Sequence, residues 1–415
     1  MNIHNITSHY NVFIDNDEKE LLKYYLNRYI MAGADISARV YALALMCMSA
    51  EDVDDIIKTY VLEKHYREIP HGLYLSDDTA IYADIANRIH GHNYLLPRIE
   101  KLSKSFKLCE EELLLIQLKY IEKKYICNLL RSNSVSQMLG ISINDIFYHT
   151  EKLFKLNILV PIDRSDFVKG LNPLIYSYIC SNISSLLDFI CHRASAKYSL
   201  DSFPVDKSVM ELLIALIKNV PDARILIYGS HGLGKSQYAV SLGEHCGKNT
   251  YITTKDTDYL IAMNSISASE DLLIIDEADD LLNESFIAKH SKKTILNQAL
   301  DISSGSFVYI TNYVEGIAPS VLRRFHYILK FESLNERDRM RIWKQNIPIL
   351  NKFMNNDELS ALAGKYDLPL GIISKSAEAA YVAYADKNKR KEALFAMLDS
   401  HRMKEIQRSI GFALS

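Results

Sequence analysis

The chain has 415 residues, with 48 Lys and Arg against 51 Asp and Glu and a formal net charge of −3. That length exceeds one ordinary core, so two or three domains are expected. A composition of 48% hydrophobic and 24% charged residues excludes a disordered chain, and the near balance of charge excludes a general polyanion binder while leaving local basic patches open.

Cys47, Cys109, Cys127, Cys180, Cys191 and Cys246 stand singly, without a Cys-x-x-Cys pair. This spacing predicts reduced, mostly buried thiols and offers no zinc or disulfide framework. The opening Met1-Asn-Ile-His-Asn lacks the charged and apolar segments of a signal peptide, and the longest apolar run, Val40 to Ala50, is too short to span a bilayer. A cytoplasmic protein without membrane contact is the expectation.

Residues 1–200 read as a mainly helical N-terminal region. Glu18 to Met31 and Ala38 to Met48 place apolar residues at helical intervals. Within this region, about 105–165, one segment has a more definite shape. Ser134 to Leu139 reads as a short helix stopped by Gly140; Ser142 is an N-cap for a helix from Ile143 to about Leu156, and Ile158 to Pro161 is extended. Helix, glycine turn, helix and strand resemble a winged helix-turn-helix. If this segment met DNA, Asn144, His149, Lys152 and Lys155 would face it. Asp145 and Glu151 on the same helix argue against that contact.

Asp201-Ser-Phe-Pro204 marks a boundary. After a helix from Lys207 to Asn219, the apolar strand Ile225-Leu-Ile-Tyr runs into Gly229-Ser230-His231-Gly232-Leu233-Gly234-Lys235-Ser236 and then Gln237, which opens a helix. Strand, Gly-x-x-x-x-Gly-Lys-Ser and helix start are the context of a phosphate-binding P-loop. The glycines let successive backbone N–H groups face phosphate oxygens, and the helix N-terminus adds partial positive charge. Lys235 would reach the β- and γ-phosphates, and the Ser236 hydroxyl would hold Mg²⁺.

Downstream, Asn249 to Thr254 is strand-like, and Asp271-Leu-Leu-Ile-Ile275 ends in Asp276 and Glu277. At the exposed end of a buried strand, alternation sends these carboxylates to different sides. Asp276 then binds Mg²⁺, and Glu277 orients and activates a water. A helix over Thr294 to Ile302, a strand Ser306 to Asn312, a short helix Pro319 to Arg324 and a strand His326 to Phe331 follow. Strands alternating with helices predict a parallel sheet covered on both faces, with ligands at the carboxyl ends. From Leu334 the chain is helical again, over Glu336–Ile347, Asp357–Ala363, Gly371–Ala385 and Lys391–Met403. The basic run Lys387-Asn-Lys-Arg-Lys391 reads as a solvated loop between two of these helices.

With these residues in place, the segment from about 203 to 385 resembles an AAA+ ATPase module, most closely bacterial AAA-family ATPases in which a long helical region precedes the motor. The resemblance implies an α/β P-loop subdomain over 203–332, a helical lid over 333–415, ATP and Mg²⁺ as ligands, and copies assembled through shared nucleotide sites. Gly229 to Ser236 match Walker A, Leu272 to Glu277 match Walker B, and Asn312 matches sensor 1, which holds the γ-phosphate and lytic water. Ile317-Ala-Pro-Ser-Val-Leu-Arg323-Arg324-Phe325 resembles the segment whose arginine reaches into a neighbouring subunit's site. The implied role is a machine that remodels a protein client recognised by the N-terminal region; the alternative is an ATP-gated switch or DNA-associated loader. Three departures stand out. Ser230-His231 and Leu233 replace the family's usual prolines and threonine, and the helix from Gly371 lacks the sensor 2 arginine, with Lys375 as a weak substitute. Tyr259-Leu260-Ile261 lacks the glycine of a threading pore loop. No Asn-Lys-x-Asp guanine reader and no Leu-Ser-Gly-Gly signature occurs.

Overall fold

The computed structural model describes residues 14–31, 38–56, 59, 79–126, 132–161, 169–253, 257–282, 305–332, 334–368 and 370–411. They fall into two units, Met1–Leu186 and Leu187–Ser415.

In the first unit, helix α1 (Lys19–Met31) buries Leu21, Leu22, Tyr25, Leu26, Tyr29 and Ile30, a stripe that recurs every three to four residues. Helices α2 (Ala38–Cys47), α3 (Ala50–Ile56) and α4 (Thr79–Arg88) close on it around Ala44, Leu45, Val53, Ile56, Ile81 and Ile85. Two further helices follow, α5 (Pro97–Phe106) and α6 (Glu110–Ile121). At Gly91 the backbone comes so close to α1 that a Cβ would stand 2.1 Å from the Glu20 carbonyl.

Helix α7 (Ser132–Leu139) ends at Gly140, whose φ of 69° is open to glycine without a steric penalty. Ser142 then caps α8 (Ile143–Lys155), accepting from the Asp145 N–H at 3.1 Å. Strand β1 (Leu159–Pro161) pairs antiparallel with β2 (Lys169–Leu171), and α9 (Pro173–Cys180) follows. Helix, turn, helix and first strand thus come in the order read from the residues, and β2 adds a second strand that was not read; two side chains expected to face outward turn inward. Buried Glu112 of α6 takes Lys152 at 2.8 Å and His149 Nδ1 at 3.1 Å. Both basic groups are spent on bracing α8 against α6 because an unpartnered buried carboxylate is costly. Of the proposed DNA-facing residues, Asn144 and Lys155 stay exposed.

The second unit begins earlier than the proline boundary suggested. After α10 (Leu186–Ile190), the three residues of β3 (His192–Ala194) already pair antiparallel with β5 (Asn249–Ile252) at the sheet edge. Helix α11 (Lys207–Asn219), β4 (Arg224–Tyr228), α12 (Lys235–His245), β5, α13 (Tyr259–Ser265), β6 (Asp271–Ile275), α14 (Asp279–Leu282), β7 (Ser306–Thr311), α15 (Pro319–Leu322) and β8 (Tyr327–Lys330) follow in turn. The strand order is β3-β5-β6-β7-β4-β8, parallel throughout apart from β3. All residues of β6 and β7 are buried, as a parallel sheet covered on both faces requires. Ile225, Ile227, Leu272, Ile274, Val308 and Ile310 share one core with Met210 and Leu213 of α11 and Tyr238, Ala239 and Leu242 of α12. The helix expected over 294–302 and Thr254 lie outside the described residues.

Helices α16 (Glu336–Asn346), α17 (Asn356–Lys365), α18 (Leu370–Ala383) and α19 (Lys387–Gly411) form a helical subdomain around Trp343, Leu350, Leu362, Tyr366, Ile373 and Leu394. The basic run opens α19 instead of forming a loop. Asp386 accepts from the Asn388 and Lys389 N–H groups, and Arg390 lies 3.9 Å over the Tyr381 ring. Lys391 pairs with Glu358 at 2.6 Å. Two of its four cations are therefore structural.

Candidate nucleotide-binding site

Parallel register brings the site together. Tyr228, the last residue of β4, pairs with Thr311, the last of β7, and Ile275 at the end of β6 pairs with Tyr309. The residues that follow each strand, Gly229, Asn312 and Asp276, therefore emerge side by side at the carboxyl edge, where open α/β sheets bind ligands.

The loop's conformation depends on glycine. Gly229, Gly232 and Gly234 have φ of 147°, 78° and 92°, and a Cβ at Gly229 would stand 2.2 Å from the Phe331 carbonyl oxygen. Gly234 caps α12, so the helix opens at Lys235. Lys235 is 6% exposed. Its ammonium donates to Gly229 O (2.5 Å), Ser230 O (2.9 Å) and Asn312 Oδ1 (3.1 Å), which satisfies its three donors. Burial pulls the Lys235 ammonium below its ordinary pKa, while the Asp276 and Asp279 carboxylates pull it upward.

Ser236 Oγ donates to Asp276 Oδ2 at 2.6 Å. A hydroxyl and a carboxylate are the hard oxygen donors that Mg²⁺ takes, and this pair is the fit for that ion. Glu277 departs from the expected alternation. The strand stops at Ile275, and Glu277 has a φ of 51°, left-handed and exposed, with its N–H given to Asp276 Oδ1 at 3.0 Å.

Two adjoining hollows meet at the loop. One, of about 780 Å³, is bounded by Phe203, His231, Gln237, Tyr313, Arg339 and Trp343 among others. The other contains Lys235, Ser236, Asp276, Glu277, Asn312 and, from α18, Lys375. Ser230, Gly232, Leu233 and Gly234 line the first as well. Neither Arg323 nor Arg324 lines either hollow. Arg323 is exposed, its Nε 3.3 Å from Pro319 O, and Arg324 is half-buried. Asp279 was missed by sequence reasoning; its carboxylate meets Thr311 and Asn312 across the sheet. The acidic run after Glu277 was its only signal.

The cysteines correct one expectation. Among the described residues only Cys47 and Cys191 are buried, both pushed up to about 12 by burial. Cys109 and Cys246 are half-buried and Cys180 is exposed, while Cys127 lies outside the described residues. Cys109, Glu111 and His149 place potential ligand atoms within 4.8 Å of one another. His149 Nδ1 is, however, already held by Glu112, and burial raises the Cys109 thiol away from the thiolate a metal needs.

No protein-family profile and no curated protein matches this sequence. Among solved structures, the chain is similar to the AAA domain of FIGL-1 in complex with ADP at 15% identity, 52% of this chain, 93% of that chain and a TM-score of 0.38. It is similar to the Thermotoga maritima RuvB Holliday junction branch migration motor at 17% identity, 48% of this chain, 71% of that chain and a TM-score of 0.37. It is also similar to a chain of the E. coli MS115-1 HORMA:CdnC:Trip13 complex at 16% identity, 48% of this chain, 97% of that chain and a TM-score of 0.35. The glycine loop at the end of β4, the parallel sheet that carries it and the helical subdomain after it give Leu187–Ser415 the α/β fold of a P-loop NTPase followed by a helical subdomain.

Proposed function

We propose that this unit binds Mg-ATP and hydrolyses it. The observation that carries the reading is the meeting of Lys235, Ser236, Asp276, Glu277 and Asn312 in one hollow at the ends of three adjacent strands. On binding, Lys235 exchanges the Gly229 and Ser230 carbonyls for phosphate oxygens, a stronger charge-assisted contact. Ser236 and Asp276 hold Mg²⁺, which draws charge off the phosphate oxygens when bound. Glu277 orients the attacking water and accepts its proton, Asn312 holds the γ-phosphate, and Lys375 approaches the same oxygens from α18. Its ammonium stands in for the arginine the lid lacks.

Arg323, exposed and away from its own hollows, serves a neighbouring copy's site, with Arg324 beside it; the working form is a homo-oligomer. Hydrolysis then remodels a protein partner recognised by the first unit. The helix-turn-helix and hairpin order of residues 132–171 keeps a second reading in view, a switch whose nucleotide state governs partner or DNA binding. The inward turn of His149 and Lys152 lowers the DNA version of it.

Trp343 is the only tryptophan in the chain and borders the larger hollow. Titrating Mg-ATP while following its emission, then measuring phosphate release, separates binding from turnover. A saturable change with turnover supports the ATPase; a saturable change without turnover moves the reading to the switch; neither signal ends both.

A further inference from the structure

We propose that Asp279 is a positioning residue for hydrolysis, holding Asn312 in its working orientation against Lys235. This rests on the ATPase reading. Asp279 is the first residue of α14, yet its carboxylate does not cap that helix; the Leu281 and Leu282 N–H groups go to Ala278 O. It turns instead to the end of β7. There Oδ1 receives the Thr311 hydroxyl at 2.6 Å and the Asn312 N–H at 3.2 Å, and Oδ2 lies 3.4 Å from Asn312 Nδ2.

The route by which Asp279 gets there is visible in the backbone. The left-handed turn at Glu277 and the 2.7 Å bond from Ala278 N to Ile310 O swing the chain off β6 and lay it beside β7. With Nδ2 directed at Asp279, the Asn312 amide presents Oδ1 to Lys235 Nζ at 3.1 Å. One carboxylate therefore sets the amide's rotation, the strand end that carries it and, through Lys235, the P-loop ammonium. Thr311 is 1% exposed, so its charge-assisted bond to Asp279 is shielded from competing water. Three carboxylates within four positions, Asp276, Glu277 and Asp279, repel one another beside a phosphate site. Asp279 lines neither hollow, and its carboxylate is taken up by Thr311 and Asn312 at the end of β7.

The test uses the full chain and Mg-ATP, with Trp343 emission for binding and phosphate release for turnover. Asp279→Ala is expected to lower kcat about tenfold or more, the scale of a misplaced catalytic group, with KM and ADP affinity moving by less than about threefold. Asp279→Asn keeps one acceptor oxygen and is expected to recover part of kcat. In the double variant with Asn312→Ala, kcat should fall no further than in Asn312→Ala alone, because both act through one group. A general loss of structure would instead multiply the two effects. If Asp279→Ala does not fold, Thr311→Val and Asp279→Asn carry the comparison, each measured against its melting midpoint. A kcat within about twofold of wild type in Asp279→Ala, or in both substitutes, overturns the inference alone, as do multiplying losses. Wild-type protein that neither binds nor hydrolyses Mg-ATP overturns the ATPase reading itself.

Discussion

Glu277 occupies a left-handed backbone conformation, φ 51°, that costs a residue other than glycine about 1–2 kcal/mol. Such a conformation persists at a site where the surroundings impose it, here the Asp276 side chain and the bond from Ala278 to β7. We predict that Glu277→Gln retains Mg-ATP binding but lowers turnover by about 10²–10⁴-fold, the range of a lost general base; unchanged phosphate release would remove Glu277 from the chemistry. Glu277→Gly should be equally inactive yet melt no lower than wild type, since glycine takes that φ without strain. Lys235→Ala is expected to weaken Mg-ATP binding by about 10–100-fold, matching the 1.5–3 kcal/mol of a hydrogen bond to a charged group. An unaltered Trp343 titration would contradict that role.

Two helices show how elements hold chemistry in place. Helix α12 carries Lys235 at its first position and lies against the sheet through Gly243, where a Cβ would stand 2.5 Å from Thr250 Oγ1 and 2.7 Å from Leu272 Cδ2. Alanine there gains up to about 1 kcal/mol of helix propensity, but overpacking costs about 1–3 kcal/mol. Gly243→Ala is therefore expected to lower the melting midpoint of this unit, and lifting α12 should weaken nucleotide binding with it. Helix α8 is braced by Glu112. Burial raises the Glu112 carboxyl, but Lys152, the Cys109 N–H and His149 outweigh it and hold the carboxyl below its usual range. A carboxylate with a depressed folded pKa stabilises above its unfolded value, about 4.3, and loses that contribution as pH falls through the folded one. Glu112→Gln should thus reduce amide-exchange protection over α6 and α8 at pH 7 by about 1–3 kcal/mol. Acidification below about pH 4.3 should then cost the variant less than wild type. Equal protection at pH 7 would show the clamp to be dispensable.

For the whole molecule, the distribution of arginines matters most. Arg323 is exposed and neither it nor Arg324 lines either hollow beside the glycine loop. If a neighbour completes each site, phosphate release per chain rises with protein concentration, and Arg323→Ala holds it at the dilute value. A flat specific activity, with sizing that shows a single copy in ATP, would exclude shared sites. No helix among the described residues is long and apolar enough to cross a membrane.

Contiguous features are legible in the residues themselves. The run from Ile225 to Ser236 combines an apolar strand, three glycines and a helix start, so its conformation, and the phosphate-binding role proposed for it, follow from local backbone chemistry. Leu272 to Asp276 are equally local, because a fully apolar run ending in a carboxylate must surface there. Three features required the folded chain. The edge strand β3 has three residues, His192 to Ala194, too few for a period-two pattern to register. Asp279 meets Asn312 across 33 positions, and Glu112 meets Lys152 across 40. Apolar patterning says that a strand or helix is buried, but not which neighbour lies beside it. Register and packing make that choice, and with it which charges face the ligand and which hold the scaffold together.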